Sequence, residues 1–257
     1  MLKLRQLTTV LLVALSGFGV AACGSGNSNS IPSNAVAVVG DTPITKATLN
    51  HWMQSIVGGD YFERVGERAP LGLVSEPPNY AGCLPGAKQL TDASGRQPPF
   101  TTQQLELKCR QLYQAIKEQA LTFLISVQWR VNEADEHGVH VSDAEIAKYA
   151  REANASQFPQ AGEFAKYLAD REWVPSDQLY QLKRNLLTTK LQEQVKTGDT
   201  QQARIAFIDF VKGHIAKRTK ETNCRPGYLV FQCRQFKASP TSIPAPIVIL
   251  EELHEKH

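Results

Sequence analysis

Five cysteines and six histidines are the residues of this 257-residue chain best suited to bridge, ligate or exchange protons. With Cys23 set aside, Cys83, Cys109, Cys224 and Cys233 form an even set, which in an oxidising compartment reads as a disulfide framework. Three pairings are open, and short loops favour Cys83 with Cys109 and Cys224 with Cys233. Chain entropy gives closure of those loops about 3.5 and about 2.6 kcal/mol. A zinc centre would want paired ligands about two to four residues apart, a spacing neither pair has, so no metal is expected. His254-Glu255-Lys256-His257 lacks the i, i+4 histidine spacing of a metalloprotease helix. His214, in Gly213-His214-Ile215-Ala216, falls inside an amphipathic segment and reads as a helix-face residue. His51, His137 and His140 fall near helix ends or on polar faces, where surface or capping roles are expected. No phosphate loop, Ser/His/Asp set or paired-carboxylate motif stands out, and Asp143 and Glu145 suit a helix N-terminus. The catalytic residues expected are therefore none.

Cys23 carries different chemistry. It follows Val20-Ala21-Ala22 and an apolar run from Leu7 to Val20, preceded by Lys3 and Arg5. About fourteen residues of helix reach about 21 Å, short of a hydrocarbon core of about 30 Å, so residues 1–22 read as a cleaved export signal rather than a membrane span. The residues around Cys23 are similar to the bacterial lipobox, which implies cleavage before the cysteine and a covalent diacylglycerol and acyl lipid (palmitate) on it. An ordinary secretory signal leaving a free, reactive thiol is the other reading. No further cofactor is expected. Loss of Lys3 and Arg5 takes the formal charge from +3 to +1, which provides no basic field for nucleic acid. The expected place is the cell envelope, outside the cytoplasmic membrane and lipid-anchored.

The rest of the chain must position these groups. Residues 23–34, rich in Gly, Ser and Asn, read as a flexible linker. Ala35 to Val39 and Pro43 to Thr45 predict a short β-hairpin, with Thr45 as N-cap of a helix carrying Leu49, Trp52, Met53 and Ile56. From Gly58-Gly59 to residue 100, prolines and glycines break the period and predict a long loop excursion, either a surface insertion or a substrate-contacting loop. Thr102 to His137 is the strongest helical pattern, stopped by Gly138. Ser142-Asp143-Ala144-Glu145 is a capping box opening a helix to about Ala153. Shorter helices are expected over 160–171 and from Pro175 to Val195. A last amphipathic helix runs from Ala203 to Lys220 with Ile205, Phe207, Ile208, Phe210, Val211 and Ile215. Cys224 to Cys233 would close a small knot, and 234–257 reads as a loose tail. The fold class is mainly α, an elongated multi-helix body around one long helix.

Two stretches carry a family resemblance. Val36-Ala37-Val38-Val39-Gly40-Asp41-Thr42-Pro43-Ile44-Thr45 resembles the opening strand, turn and Ile-Thr helix start of the SurA and PrsA extracytoplasmic chaperones and foldases. Glu133-Ala134-Asp135-Glu136-His137-Gly138-Val139-His140-Val141-Ser142-Asp143-Ala144-Glu145 is similar to the family's junction between long helix and capping box. The resemblance covers about residues 35–196, with 197–233 as a returning helix and knot completing the same module. It implies a SurA N-terminal-like, trigger-factor-like chaperone fold whose partners are unfolded or exported polypeptides. PrsA-type proteins insert a parvulin prolyl isomerase domain after the part ending here near Val195. About seven residues separate Val195 from the last expected helix, too few for that insertion. The expectation is thus a non-enzymatic, membrane-anchored chaperone-like protein. A prolyl isomerase by family, or a structural lipoprotein with one dedicated envelope partner, are the alternatives.

Overall fold

A computed structural model describes residues 31–95, 99–195 and 200–237. Cys23 and the export signal, most of the linker, His254 to His257 and nearly all of the tail lie outside the described residues. The described chain is mainly helical, with seven helices and one three-stranded sheet.

The hairpin forms where alternation and a Gly40-Asp41 turn predict it. Strand β1 (Ala35–Val39) pairs antiparallel with β2 (Thr42–Thr45), and Gly40 takes φ 58°, a left-handed turn conformation suited to glycine. Helix α1 (Lys46–Val65) starts at Thr45, whose side chain accepts from Thr48 N at 3.0 Å. It does not stop at Gly58-Gly59. It continues to Gly66, where φ of 75° and a bond from the Gly66 N–H to the Phe62 carbonyl end it.

The two internal glycines are explained by what they face. A Cβ on Gly58 would stand 2.5 Å from the Arg171 carbonyl oxygen, and one on Gly59 would stand 3.5 Å from the Trp173 indole nitrogen. They let the segment Arg171 to Trp173 lie directly on the helix. Gly58→Ala is expected to lose about 1–3 kcal/mol from that overlap, exceeding the gain of about 1 kcal/mol from better helix propensity. A urea-unfolding midpoint equal to or above wild type would refute this account of Gly58.

The expected loop excursion contains a helix, α2 (Cys83–Ser94). Pro85 and Gly86 look like breakers in the sequence, yet they occupy its first turn, where a missing proline N–H costs no intrahelical bond. Ala87, Leu90 and Thr91 are buried, and Cys83 is bonded to Cys109. That residue sits on α3 (Thr102–Glu136), the long helix. Thr101 and Gln104 cap it reciprocally, and its 35 residues rise about 52 Å. α1, α2 and both strands of the hairpin pack on α3, around buried Leu105, Leu112, Ile116, Leu121, Leu124 and Ile125.

Helix α4 (Asp143–Gln157) opens on the predicted Ser142/Glu145 capping box, and α5 (Glu163–Asp170) follows. α6 (Pro175–Val195) packs against α3 and α4. A smaller apolar cluster of Ala134, Val139, Leu187 and Leu191 joins the far end of α3 to α6.

On helix α7 (Thr200–Lys220) only two residues of the expected apolar stripe have described side chains. Ile205 and Ile215 are exposed, whereas the buried side chains described on α7 are His214 and Arg218. Phe207, Ile208, Phe210 and Val211 have side chains outside the described set. A third strand, β3 (Thr222–Cys224), then adds antiparallel to the free edge of β1, giving the order β2-β1-β3. Three residues are too few to show a period-2 pattern, so this strand had no sequence signal. Cys224 is bonded to Cys233, and Trp129 of α3 donates to the Thr222 hydroxyl at 2.8 Å. The end of the expected linker is held as well: Arg225 donates to the carbonyls of Pro32, Ser33 and Ala35 at 2.7, 3.2 and 2.9 Å.

Candidate functional site

Between α1, α3 and the α5–α6 segment lies an open cleft of about 360 Å³. One wall is Trp52 and Phe123, with ring centroids 4.6 Å apart, and Tyr180, outside the lining, packs 5.4 Å from Trp52. Burial pushes the Tyr180 hydroxyl up to about 12, so it stays protonated. The opposite wall is Tyr167 and Trp173, whose rings meet edge-on at 6.4 Å. Trp173 is fixed by its N–H, which donates to the Ser55 carbonyl at 2.7 Å. Ile56 lies partly buried among these lining groups.

Charges edge the cleft. The Arg171 guanidinium stacks 3.8 Å above Tyr167 and 4.5 Å from Phe62, and its Nε donates to Glu63 at 3.1 Å. Arg184 lies 5.3 Å from the Phe123 ring. Asp60 is half-buried, and burial raises its carboxyl above the usual range against a lowering bond from Gln119. The cleft therefore offers aromatic faces with a few fixed polar groups, the composition of a site that accepts an apolar side chain. Nothing in it pairs a nucleophile with a base.

The structure does bring a serine, a histidine and an aspartate together nearby. His51 Nε2 lies 2.7 Å from Asp177 Oδ1, and Ser55 donates to Asp177 Oδ2 at 3.5 Å. The serine faces the carboxylate rather than the imidazole, so no base is aimed at its hydroxyl. Asp177 also accepts from Val174 N at 3.0 Å, and the cluster is a cap that locks the start of α6 onto α1.

His214 is not a surface helix-face residue. Its Nδ1 lies 2.7 Å from Glu133 Oε2, and Arg218 reaches the same oxygen through Nε at 3.2 Å and Nη2 at 2.8 Å. Glu133 is 5% exposed, His214 6% and Arg218 2%. The spacing of 81 residues between Glu133 and His214 hides this cluster from any local motif search. His137 touches Glu133 at 3.2 Å, and His140 lies 3.7 Å from Asp135 near the end of α3. The disulfides Cys83–Cys109 and Cys224–Cys233 stand outside the cleft lining, as braces of α2 and β3.

Among the described residues no helix is long and apolar enough to cross a membrane, and no group of three or more His, Cys, Asp or Glu could hold a metal. No family model, curated protein or solved structure matches this chain.

Proposed function

We propose that this chain is a membrane-anchored, non-enzymatic chaperone-like lipoprotein of the SurA type, which binds unfolded or exported polypeptides outside the cytoplasmic membrane. The observation that carries the reading is the aromatic cleft, lined by Trp52, Phe123, Tyr167 and Trp173 with charge at the edge. Such a lining binds apolar side chains of many sequences with little geometric demand, as a binder of unfolded chains requires. The lipobox-like Cys23, the export signal and the two motif stretches from Val36 and Glu133 support the same assignment. In this reading Cys23 carries the lipid, and 23–31 tether the folded body at the membrane surface.

Purified full-length protein is expected to suppress aggregation of a reduced, unfolded secreted substrate at near-equimolar ratio. Ile56→Glu, which puts a charge among the cleft's aromatic groups, is expected to weaken that suppression several-fold at unchanged circular dichroism. Absence of suppression by the wild-type chain would sink the chaperone reading. Acceleration in a protease-coupled proline-peptide assay would instead point to the isomerase alternative. One dominant crosslinked adduct in cells would point to a dedicated partner.

A further inference from the structure

On the other side of Arg184 from the aromatic cleft, α3 and α6 enclose a second cavity of about 470 Å³, lined by Ser126, Arg130, Arg184, Asn185, Thr188 and Thr189. Two guanidiniums face it, and among the described residues no carboxylate does. Arg130 is partly buried and makes no hydrogen bond or ion pair with any described residue. Burial lowers its pKa, and the like charge of Arg184 lowers it further, with Glu133 opposing. Glu133, one turn along α3, has its oxygens taken by His137, His214 and Arg218, so it acts on Arg130 only through space and forms no direct ion pair with it among the described residues. Arg184 spends Nε and Nη2 on Asn185 at 3.2 and 2.9 Å, which leaves Nη1 without a described partner.

The hydroxyl donors sort the same way. Thr188 and Thr189 give their protons to backbone carbonyls of α6 at 2.9 and 3.2 Å, whereas the Ser126 hydroxyl accepts from Gln232 at 2.7 Å and keeps its own proton to donate. The cavity thus presents two cationic forks and one O–H, and two like charges held together are unfavourable unless an anion joins them. A singly charged carboxylate would leave one guanidinium uncompensated. A phosphate matches both charge and fork geometry. The volume exceeds that of the bare ion, so the phosphate would belong to a larger ligand.

We propose that Arg130, Arg184 and Ser126 form a binding site for a phosphate group, carried by a small phosphorylated metabolite or by a phospholipid headgroup. This site shares Arg184 with the aromatic cleft but does not rest on the polypeptide-binding reading, and its test reads a different ligand. Calorimetric titration of the full chain at fixed ionic strength would use inorganic phosphate, glycerol 3-phosphate and soluble dihexanoyl phosphatidylglycerol. Saturable one-to-one binding of at least one probe is expected. Arg130→Gln and Arg184→Gln are each expected to weaken it about tenfold or more. Binding of the two water-soluble probes assigns a free metabolite, and binding of the lipid alone assigns a headgroup. If none of the three probes binds, or if the variants bind as wild type does, the proposal is wrong. Arg184 sits on a half-exposed face of α6, so Arg184→Gln decides the matter even if Arg130→Gln does not fold.

Discussion

Glu133→Ala is expected to destabilise the fold by about 3–5 kcal/mol, measured by chemical denaturation at neutral pH. The substitution removes the carboxylate that His214 and Arg218 share and strands a guanidinium that is 2% exposed. Breaking a buried ion cluster by removing one partner carries a penalty of that size, because the remaining charge has lost its compensation and cannot reach water. Glu136 and Glu221 also pair with Arg218, at 2.7 Å each, so the guanidinium keeps partial compensation and the lower half of the range is favoured. Pairing Glu133→Leu with Arg218→Met should recover most of the loss, since a matched apolar pair removes the charge as well as its partner. If the double variant is no more stable than Glu133→Ala, the cluster is not the cause.

The same cluster sets how the fold responds to acid. Burial lowers the His214 pKa despite the opposing pull of Glu133, so the folded state holds this imidazole neutral where the unfolded chain would protonate it. Glu133 is pushed up by burial but held lower on balance by His214 and Arg218. Both groups bind fewer protons when folded than when unfolded. Stability from His214 is therefore complete above its unfolded pKa of about 6.5 and is lost as pH falls toward the folded value. Glu133 adds a second loss below its unfolded pKa of about 4.3, extending through its lower folded value. Substituting His214 by Gln should flatten the first limb of a stability-versus-pH curve and leave the second.

Removing the Cys83–Cys109 bridge with paired serines is expected to cost about 3 kcal/mol of unfolding free energy, within a general range of about 2–5 kcal/mol. The bridge spans 26 residues and joins α2 to the middle of the core, with both cysteines 0% exposed. α2 is short, so its place against α3 depends on the covalent link together with Ala87 and Leu90. Thermal unfolding with and without reductant reads the effect directly: wild type should shift down on reduction by more than the double serine variant, which keeps only Cys224–Cys233. An equal shift in both would assign the loss to Cys224–Cys233.

Of these predictions, the disulfide one alone follows from what the sequence shows locally. The cysteine spacing, the caps at Thr45 and Ser142, and the long apolar period of α3 are local signals, and each appears where a local rule puts it. α1 was cut short because Gly58 and Gly59 look like a break until the backbone of Arg171 is brought against them. α2 was missed because proline and glycine in a first turn resemble those in a loop. β3 has three residues and takes its conformation from β1. The candidate cleft draws Trp52, Phe123, Tyr167 and Trp173 from three separate segments of the chain, and each aromatic alone reads as core. His214 shows the limit most sharply, since its neighbour in sequence is exposed Ile215 and its partner is Glu133.

The sheet order also gives the chain a timetable. β1 is the central strand, yet one of its two partners lies near the other end of the described fold, and Arg225 binds Ala35 across 190 residues. A polypeptide is made N-terminus first, so β1 and β2 emerge long before β3 exists to cover the open edge. Until residue 225 is free, that edge offers unpaired backbone to any passing strand. The fold can close only after nearly its whole length has been delivered, which makes the last two dozen described residues the clasp that ends a vulnerable interval.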